Sequence, residues 1–285
     1  MLRPRPALKD GLFASRPLRH GSKLTIMSDK PDVPILPAAT ILMLRDDPFD
    51  VLMVKRHHQI DFAAGALVFP GGKTHAGDDD PRWESRCLGW GGALPHKRPL
   101  RIAAIREAYE EAGILLARHQ DGAPFRGDER ATAARDDIGR DRRPFIDLIV
   151  ELDLYLDLEA LSVFARWITP PIVSRRFDTW FYVAKAPDEQ LAVCDGSETV
   201  DAEWIAPAEA LRLGEIGERT VIFPTRMNLK LLAEATSAED AVTRARAREL
   251  VTVEPKVAER NGERVLVLPP NAGYGAVEEP LSRVM

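Results

Sequence analysis

The sequence predicts an α/β protein in which helices pack on a β-sheet, and three observations support this. Residues 37–45 and 51–55 are apolar and flank the turn sequence Asp46-Asp47-Pro48, a pattern that predicts a two-stranded hairpin. Residues 99–112 place apolar side chains at mostly helical spacing, which predicts a helix with a buried face. Strand-like and helix-like stretches then continue to residue 268.

The rest of the chain is interpreted from the same two periodicities. Residues 118–143 are polar and predict an exposed loop with some helix. Residues 147–161 predict a helix, although their alternating acids and leucines also permit a strand. The remaining predictions are strands at 164–168, 179–184, 198–205 and 264–268, and helices at 207–213, 224–235 and 238–250.

Composition narrows the class of protein. The 285 residues are 45% hydrophobic and 29% charged, as expected for one large or two small globular domains. The net charge of −5 gives no overall basic field for nucleic acid or a membrane surface, and no apolar run reaches the roughly 18 residues of a span. Only Cys87 and Cys194 are present, which predicts free thiols and a reducing compartment, with the cytoplasm as the expected location.

The first 34 residues form a basic leader. Residues 1–26 hold six Lys and Arg residues against a single acid, Asp10. This composition fits an organelle transit peptide, a disordered leader, or an upstream start codon with Met27 as the true start. A protein beginning at Met27 is expected to fold and work as the full chain does.

Three glutamates mark the candidate site. At about 100° per residue, Glu107, Glu110 and Glu111 fall within one arc of about 100° on the predicted helix. Each like-charge pair would cost a few tenths of a kcal/mol, and a hard divalent cation, which prefers oxygen ligands, would remove that cost. Arg106 stands beside them and could hold one carboxylate by a charge-assisted bond. A solvated acidic face is the alternative.

A Pro-Gly-Gly turn lies upstream of these acids. Gly71 and Gly72 follow Pro70, and glycine backbone can approach a metal ion or a phosphate closely. Acids that bind metal beside a glycine turn are the groups needed for attack on a phosphoryl group, where a protein mainly positions reactants and neutralises charge.

These residues resemble the Nudix box, G-x5-E-x7-R-E-U-x-E-E-x-G-U, in which U is a bulky apolar residue. Between Gly72 and the arginine, about 20 residues more than the box allows are inserted. Gly92 has the box spacing to Arg106, but Arg98 would then replace the acid, so Gly72 is preferred. The matching positions are Gly72, Asp78, Arg106, Glu107, Glu110, Glu111, Gly113 and Ile114.

The insertion makes the chain similar to one branch of the family, the animal peroxisomal coenzyme A diphosphatases. Residues 167–170 and 175–181 also resemble that branch, so the resemblance runs from about residue 35 to at least 225. It implies an α/β/α sandwich with a mixed β-sheet. The implied organisation is a Nudix domain at 35–215, with the insertion at about 79–98, and a helical C-terminal extension and tail at 216–285.

The resemblance also implies a chemistry. Glu107, Glu110 and Glu111 would bind Mg²⁺ or Mn²⁺, with the carbonyl of Gly71 or Gly72 as a further ligand. Arg106 would orient the glutamates. A glutamate late in the chain, Glu198 or Glu203, would serve as an extra ligand or base, and Glu198 is preferred. The implied reaction is hydrolysis of a diphosphate linked to another moiety.

The substrate implied by the branch is coenzyme A or acyl-coenzyme A, cleaved to 3′,5′-ADP and (acyl-)phosphopantetheine. Arg56 and the sequence Gly65-x3-Phe-Pro-Gly-Gly match part of the family's coenzyme A signature, whose inner arginine is missing. Arg175 and Arg176 are further candidates for gripping phosphate. The alternatives are an ADP-ribose, NADH or other nucleotide pyrophosphatase, and a non-catalytic ligand sensor.

The insertion itself carries two tryptophans. Trp83 and Trp90 make a wholly disordered insertion improbable, and they predict packing on the domain or a contact between two copies in a homodimer.

Overall fold

The computed structural model describes residues 33–57, 65–196 and 199–284. Its helices are α1 (Arg98–Ala112), α2 (Glu129–Gly139), α3 (Phe145–Glu151), α4 (Pro207–Glu215), α5 (Phe223–Leu232) and α6 (Ala238–Ala247). Its strands are β1 (Ile35–Arg45), β2 (Asp50–Arg56), β3 (Leu67–Val68), β4 (Gly71–Lys73), β5 (Cys87–Leu88), β6 (Ala117–Arg118), β7 (Tyr155–Asp157), β8 (Ser162–Ile168), β9 (Arg176–Lys185), β10 (Thr199–Ile205), β11 (Thr252–Val253), β12 (Lys256–Arg260), β13 (Glu263–Val267) and β14 (Glu278–Pro280).

A mixed β-sheet forms the middle of the protein. Its strand order is β10-β2-β1-β9-β8-β11, with β3 on β2 and β4 on β1. The long strand β1 runs antiparallel to β2 and β4 but parallel to β9. The predicted hairpin of the first two strands is confirmed, and β1 carries the glycine turn of β4 beside it.

Both faces of the sheet are buried by helices. Successive side chains of a strand point to opposite faces, and β1 shows this directly. Ile41 and Met43 share one apolar cluster with α1, α2 and α3, whereas Leu42 and Leu44 share another with α4, α5 and α6. The predicted α/β/α sandwich with a mixed sheet is therefore confirmed.

The C-terminal part of the chain forms the second helical layer. Its helices α5 and α6 correspond to the two predicted amphipathic helices, and α5 buries Phe223 and Met227 against the sheet. The predicted strand at 264–268 is β13, which lies in a separate three-stranded sheet between β12 and β14. The strand β11 joins the edge of the main sheet beside β8. The domain boundary at residue 215 stays a prediction.

The insertion packs on the body of the protein. Trp83 is fully buried, its ring centroid lies 5.6 Å from that of Phe145, and its indole N–H donates to the Gly77 carbonyl at 2.8 Å. Short 3-10 turns at Ala76–Asp79, Pro81–Ser85, Trp90–Gly92 and Pro95–Lys97 carry the chain to α1. Trp83 is therefore a buried aromatic anchor of the insertion.

One element was predicted wrongly as a single helix. Residues 147–161 are divided between the end of α3 and the strand β7, which pairs with β5 of the insertion and with β6. The alternation of acids and leucines that permitted a strand is the pattern of the second half. Asp153, with φ of 49°, lies between the two elements, where a continuous helix cannot pass.

The predicted basic leader, residues 1–34, lies outside the described residues except for its last two positions.

Among the helices that the structure describes, none is long and apolar enough to span a membrane.

Candidate active site

The helix α1 carries the three glutamates, and its ends are well defined. Pro99 stands in its first turn, where a missing N–H costs little. Gly113 closes it in the left-handed conformation, with φ of 74°, and donates to the Tyr109 carbonyl at 2.9 Å. The helix packs across β1 and β4, so its last two turns lie against the glycine turn.

Arg106 is the centre of the site. Its guanidinium donates from Nε and Nη2 to the two Asp78 carboxylate oxygens, at 2.9 and 3.1 Å. Its Nη1 donates to Glu107 Oε1 at 3.0 Å and to Glu110 Oε2 at 2.9 Å, and Nη2 also donates to the Lys73 carbonyl at 2.9 Å. One buried arginine therefore fixes the position of three carboxylates.

The glycine turn contacts the other carboxylates. The Gly71 amide donates to Glu111 Oε2 at 3.0 Å. A Cβ atom placed on Gly72 would lie 2.4 Å from Glu107 Oε1, a distance that real atoms do not reach. Glycine at position 72 therefore leaves room for the Glu107 carboxylate, which a larger residue would displace.

Among the residues that the structure describes here, carboxylates outnumber cations. Asp78, Glu107 and Glu111 are buried and Glu110 is largely so, while Arg106 is the cation among them. Burial raises the pKa of Glu110 to about 8, and repulsion from Glu107 adds to the rise although Arg106 opposes it. Burial therefore favours the protonated form of Glu110 relative to an exposed glutamate.

The donor set fits a hard divalent cation. Carboxylate oxygens are the ligands that Mg²⁺ and Mn²⁺ take, and a dication would offset the excess charge and displace the Glu110 proton. In the arrangement described, no group of three His, Cys, Asp or Glu side chains is close enough to hold a metal ion together within residues 33–57, 65–196 and 199–284. The metal-ligand roles of Glu107, Glu110, Glu111, Gly71 and Gly72 stay predictions.

The predicted substrate and base residues lie in three different settings. Arg56 ends β2, pairs in register with Thr199, and has a buried Nε without a hydrogen-bond partner in the described part of the chain. Arg176 is buried and donates to the Thr169 carbonyl and to Glu254, at 2.9 Å each, while Arg175 is exposed. Their substrate roles stay predictions.

The two candidate glutamates later in the chain also differ. Glu198, the preferred candidate, lies outside the described residues. Glu203 lies on β10 with its carboxylate 3.5 Å from Arg219. Neither role is tested.

The end of α1 involves residues that the sequence analysis missed. The terminal carbonyls of a helix have no partner within it, and here three segments supply donors. The Glu110 carbonyl accepts from Arg135 Nε at 2.8 Å, and the Glu111 carbonyl accepts from Thr199 Oγ1 at 3.1 Å. The Ala112 carbonyl accepts from the Val193 amide at 2.9 Å. No spacing in the sequence reveals these partners, because they come from α2, a loop and β10.

A cavity of about 170 Å³ adjoins this end of the helix. Glu110 and Glu111 line one side, and Arg135, Cys194 and Asp195 line the other. A larger cavity of about 340 Å³ lies on the opposite face of the sheet, among α5, α6 and Phe164, away from the glutamates. The smaller cavity is therefore the one that belongs to the candidate site.

A solved structure shares this fold. A Nudix hydrolase from Alicyclobacillus acidocaldarius superposes with a TM-score of 0.67 and 27% sequence identity, covering 75% of this chain and 97% of that chain. The family model described as the NUDT19 Nudix domain matches residues 85–227, half of the chain. The chain therefore belongs to the NUDT19 Nudix domain family.

Curated relatives extend the comparison. The acyl-coenzyme A diphosphatase NUDT19 of Homo sapiens is 29% identical over 204 residues, and that of Xenopus laevis is 27% identical over 205. Each match covers 57% of this chain and 54% of the relative. The chain thus spans about half the length of the curated relatives it matches.

Proposed function

We propose that this protein is a metal-dependent diphosphatase that hydrolyses coenzyme A or acyl-coenzyme A to 3′,5′-ADP and (acyl-)phosphopantetheine. The observation that carries the proposal is the buried carboxylate cluster around Arg106, which is built from the positions of the Nudix motif. The substrate class is supported by the relatives whose names describe acyl-coenzyme A diphosphatases.

The metal would be Mg²⁺ or Mn²⁺, held by Glu107, Glu110 and Glu111, with a carbonyl of Gly71 or Gly72 as a further ligand. When bound, it would supply an activated water and neutralise charge on the bridging phosphates. The protein's own contribution is positional. Arg106 holds Glu107 and Glu110 on one side of the helix, and the Gly71 amide holds Glu111.

Arg56 is a candidate for binding the substrate. The buried Arg56 Nε stands at the end of β2 next to Thr199, whose hydroxyl bonds the Glu111 carbonyl, so Arg56 lies at the same end of the sheet as the glutamates. A guanidinium in that position suits a phosphate of the substrate. Glu198 is the preferred candidate for the general base.

A substrate panel tests the proposal. Coenzyme A, an acyl-coenzyme A, dephospho-coenzyme A, ADP-ribose and NADH would be incubated with Mg²⁺ or Mn²⁺, and the products identified by mass spectrometry. We expect coenzyme A or an acyl form to give the highest kcat/KM. Equal or faster hydrolysis of dephospho-coenzyme A, ADP-ribose or NADH would contradict the substrate class. Absence of any hydrolysis, with tight binding, would favour the ligand sensor.

Location and assembly are also proposals. The two thiols, Cys87 and Cys194, are both free, which supports a reducing compartment such as the cytoplasm. We propose a small-molecule nucleotide substrate without nucleic acid or membrane partners. A homodimer is tested by light scattering of the purified protein.

A further inference from the structure

We propose that Arg135, on α2, is a positioning residue for the candidate metal site: it fixes the end of α1 that carries Glu110 and Glu111. The inference rests on the proposed function in taking these carboxylates as metal ligands. It concerns a residue outside the Nudix motif, in the stretch 118–143 that the sequence predicts to be an exposed loop with some helix.

A hydrogen bond joins Arg135 to the end of α1. Arg135 Nε donates to the backbone carbonyl of Glu110 at 2.8 Å, in the last turn of α1. A cation at a helix C-terminus is favoured by the helix dipole, and a charged donor makes a stronger bond than a neutral one. Because this carbonyl joins Glu110 to Glu111 through the peptide bond, the bond from Arg135 holds the backbone of both glutamates.

The Arg135 guanidinium is closely packed. A Cβ on Gly113 would lie 3.2 Å from Arg135 Nη1, so the guanidinium packs against the residue that closes the helix. Arg135 Nη2 is buried and has no hydrogen-bond partner in the described ranges. Buried donors of this kind are rare and call for an explanation beyond surface solvation. The packing leaves little freedom for the helix end to shift.

Other contacts dock α2 on α1. The Tyr109 hydroxyl of α1 donates to the Ala131 carbonyl of α2 at 2.5 Å, and α2 buries Ala131, Ala134 and Ile138. These contacts do not involve the Arg135 side chain. A variant without that side chain is therefore expected to keep α2 in place and to lose only the support of the helix end.

The test measures metal binding without substrate. Mn²⁺ affinity of the full chain is measured by titration with electron paramagnetic resonance detection of free Mn²⁺. We expect Arg135→Ala to weaken Mn²⁺ binding by about 10- to 100-fold, the scale found when an outer-shell partner of a metal ligand is removed. The matched control is Arg130→Ala on the same helix, whose exposed side chain pairs with Asp128 of the preceding turn. It should bind Mn²⁺ as the unaltered protein does.

Two further measurements exclude a merely structural role. Arg135→Lys keeps a charged donor at the helix end and should recover much of the lost affinity. In turnover, Arg135→Ala should lower kcat and raise the Mn²⁺ concentration for half-maximal rate, with KM for the nucleotide unchanged. If Arg135→Ala does not fold, Arg135→Gln is the substitute. It removes the charge and the multiple N–H donors of the guanidinium, and it should still bind Mn²⁺ more weakly than the unaltered protein.

The outcomes are distinct. Unaltered Mn²⁺ affinity in folded Arg135→Ala, or in Arg135→Gln where the first does not fold, would overturn this inference and leave the proposed function intact. Failure of the unaltered protein to bind Mn²⁺ would overturn the metal site and this inference together. Failure to cleave coenzyme A, with the Mn²⁺ difference present, would overturn the substrate class alone.

Discussion

Two buried arginines, Arg106 and Arg176, have opposite surroundings. Arg106 meets the carboxylates of Asp78, Glu107 and Glu110, so negative charge exceeds positive charge around it. Arg176 meets a backbone carbonyl and the single carboxylate of Glu254, which also pairs with Lys256 at 3.0 Å, so no carboxylate charge is in excess there, and we call this pair balanced. Of the two sites, the Arg106 cluster is the one with an excess of carboxylates that a cation could offset.

The difference shows how a buried ion pair is to be interpreted. The balanced pair of Arg176 with Glu254 joins β9 to the C-terminal segment and leaves no carboxylate charge in excess. An unbalanced cluster carries repulsion that the fold tolerates, which is typical of functional sites.

The largest effect should come from removing a carboxylate charge in the unbalanced cluster. Glu111→Gln or Glu110→Gln keeps the shape, and kcat should fall by about 100- to 1000-fold, as when a key electrostatic stabiliser is lost. Folding should survive because the amide keeps the shape of the carboxyl and adds no buried charge. The matched control is Glu249→Gln at an exposed position. Near-full activity of both site variants with every substrate would show that the metal site is assigned wrongly.

Crowding the cluster should have the next largest effect. Gly72→Ala places a methyl group where the Glu107 carboxylate lies, and because that carboxylate is the flexible end of a side chain, it moves rather than the backbone. Metal affinity and activity should fall by about 10- to 100-fold with little loss of stability. Gly91→Ala, where no atom lies within 4 Å of the new Cβ, is the control. Equal activity of the two variants would contradict the close packing.

Breaking the balanced pair should affect stability instead. Arg176→Ala removes two bonds of a buried guanidinium and should lower the free energy of unfolding by about 1–3 kcal/mol, measured by urea denaturation. The exposed neighbour Arg175→Ala should change it by less than about 0.5 kcal/mol. If the unaltered protein shows the proposed preference for coenzyme A over dephospho-coenzyme A, a stable Arg176→Ala protein that lacks it would instead place Arg176 at the substrate.

The smallest effect should be a pH dependence of the metal-free protein. The pKa of Glu110 is raised from 4.5 to about 8 by burial, so the folded state holds a proton that the unfolded state releases. The contribution to stability is present below about pH 4.5 and is lost as pH rises to about 8. The melting temperature of the unaltered protein should therefore fall more over this range than that of Glu110→Gln. Parallel curves would show that Glu110 does not titrate there.

The sequence predicts the local parts of the site well. The arc of Glu107, Glu110 and Glu111 follows from helical period, and the closing Gly113 follows from its conformational freedom. The C-terminal helices and the strand hairpin also follow from periodicity. These features depend on neighbours within a few residues, which is the range over which a pattern carries information.

Long-range features could not be predicted in the same way. The parallel pairing of β1 with β9 joins residues about 140 positions apart, and no local pattern specifies a partner. Arg135 and Thr199 reach the helix end from separate elements, and their residue types are common on any surface. The prediction of a single helix at 147–161 was wrong because the same composition permits both a helix and a strand. The pairing of β7 with β5 favours the strand in the second half of this stretch.

The contact between Asp78 and Arg106 closes the insertion at its base. The chain that leaves the glycine turn therefore returns to α1 at a fixed point, whatever the number of residues in between. Closing a flexible loop of twice the length costs only about 0.6 kcal/mol more, so residues added at an open turn of this segment would cost little while Trp83 and β5 stay packed. The turn at Gly91, where space is open, is therefore the point at which a foreign peptide or reporter would disturb the candidate site least.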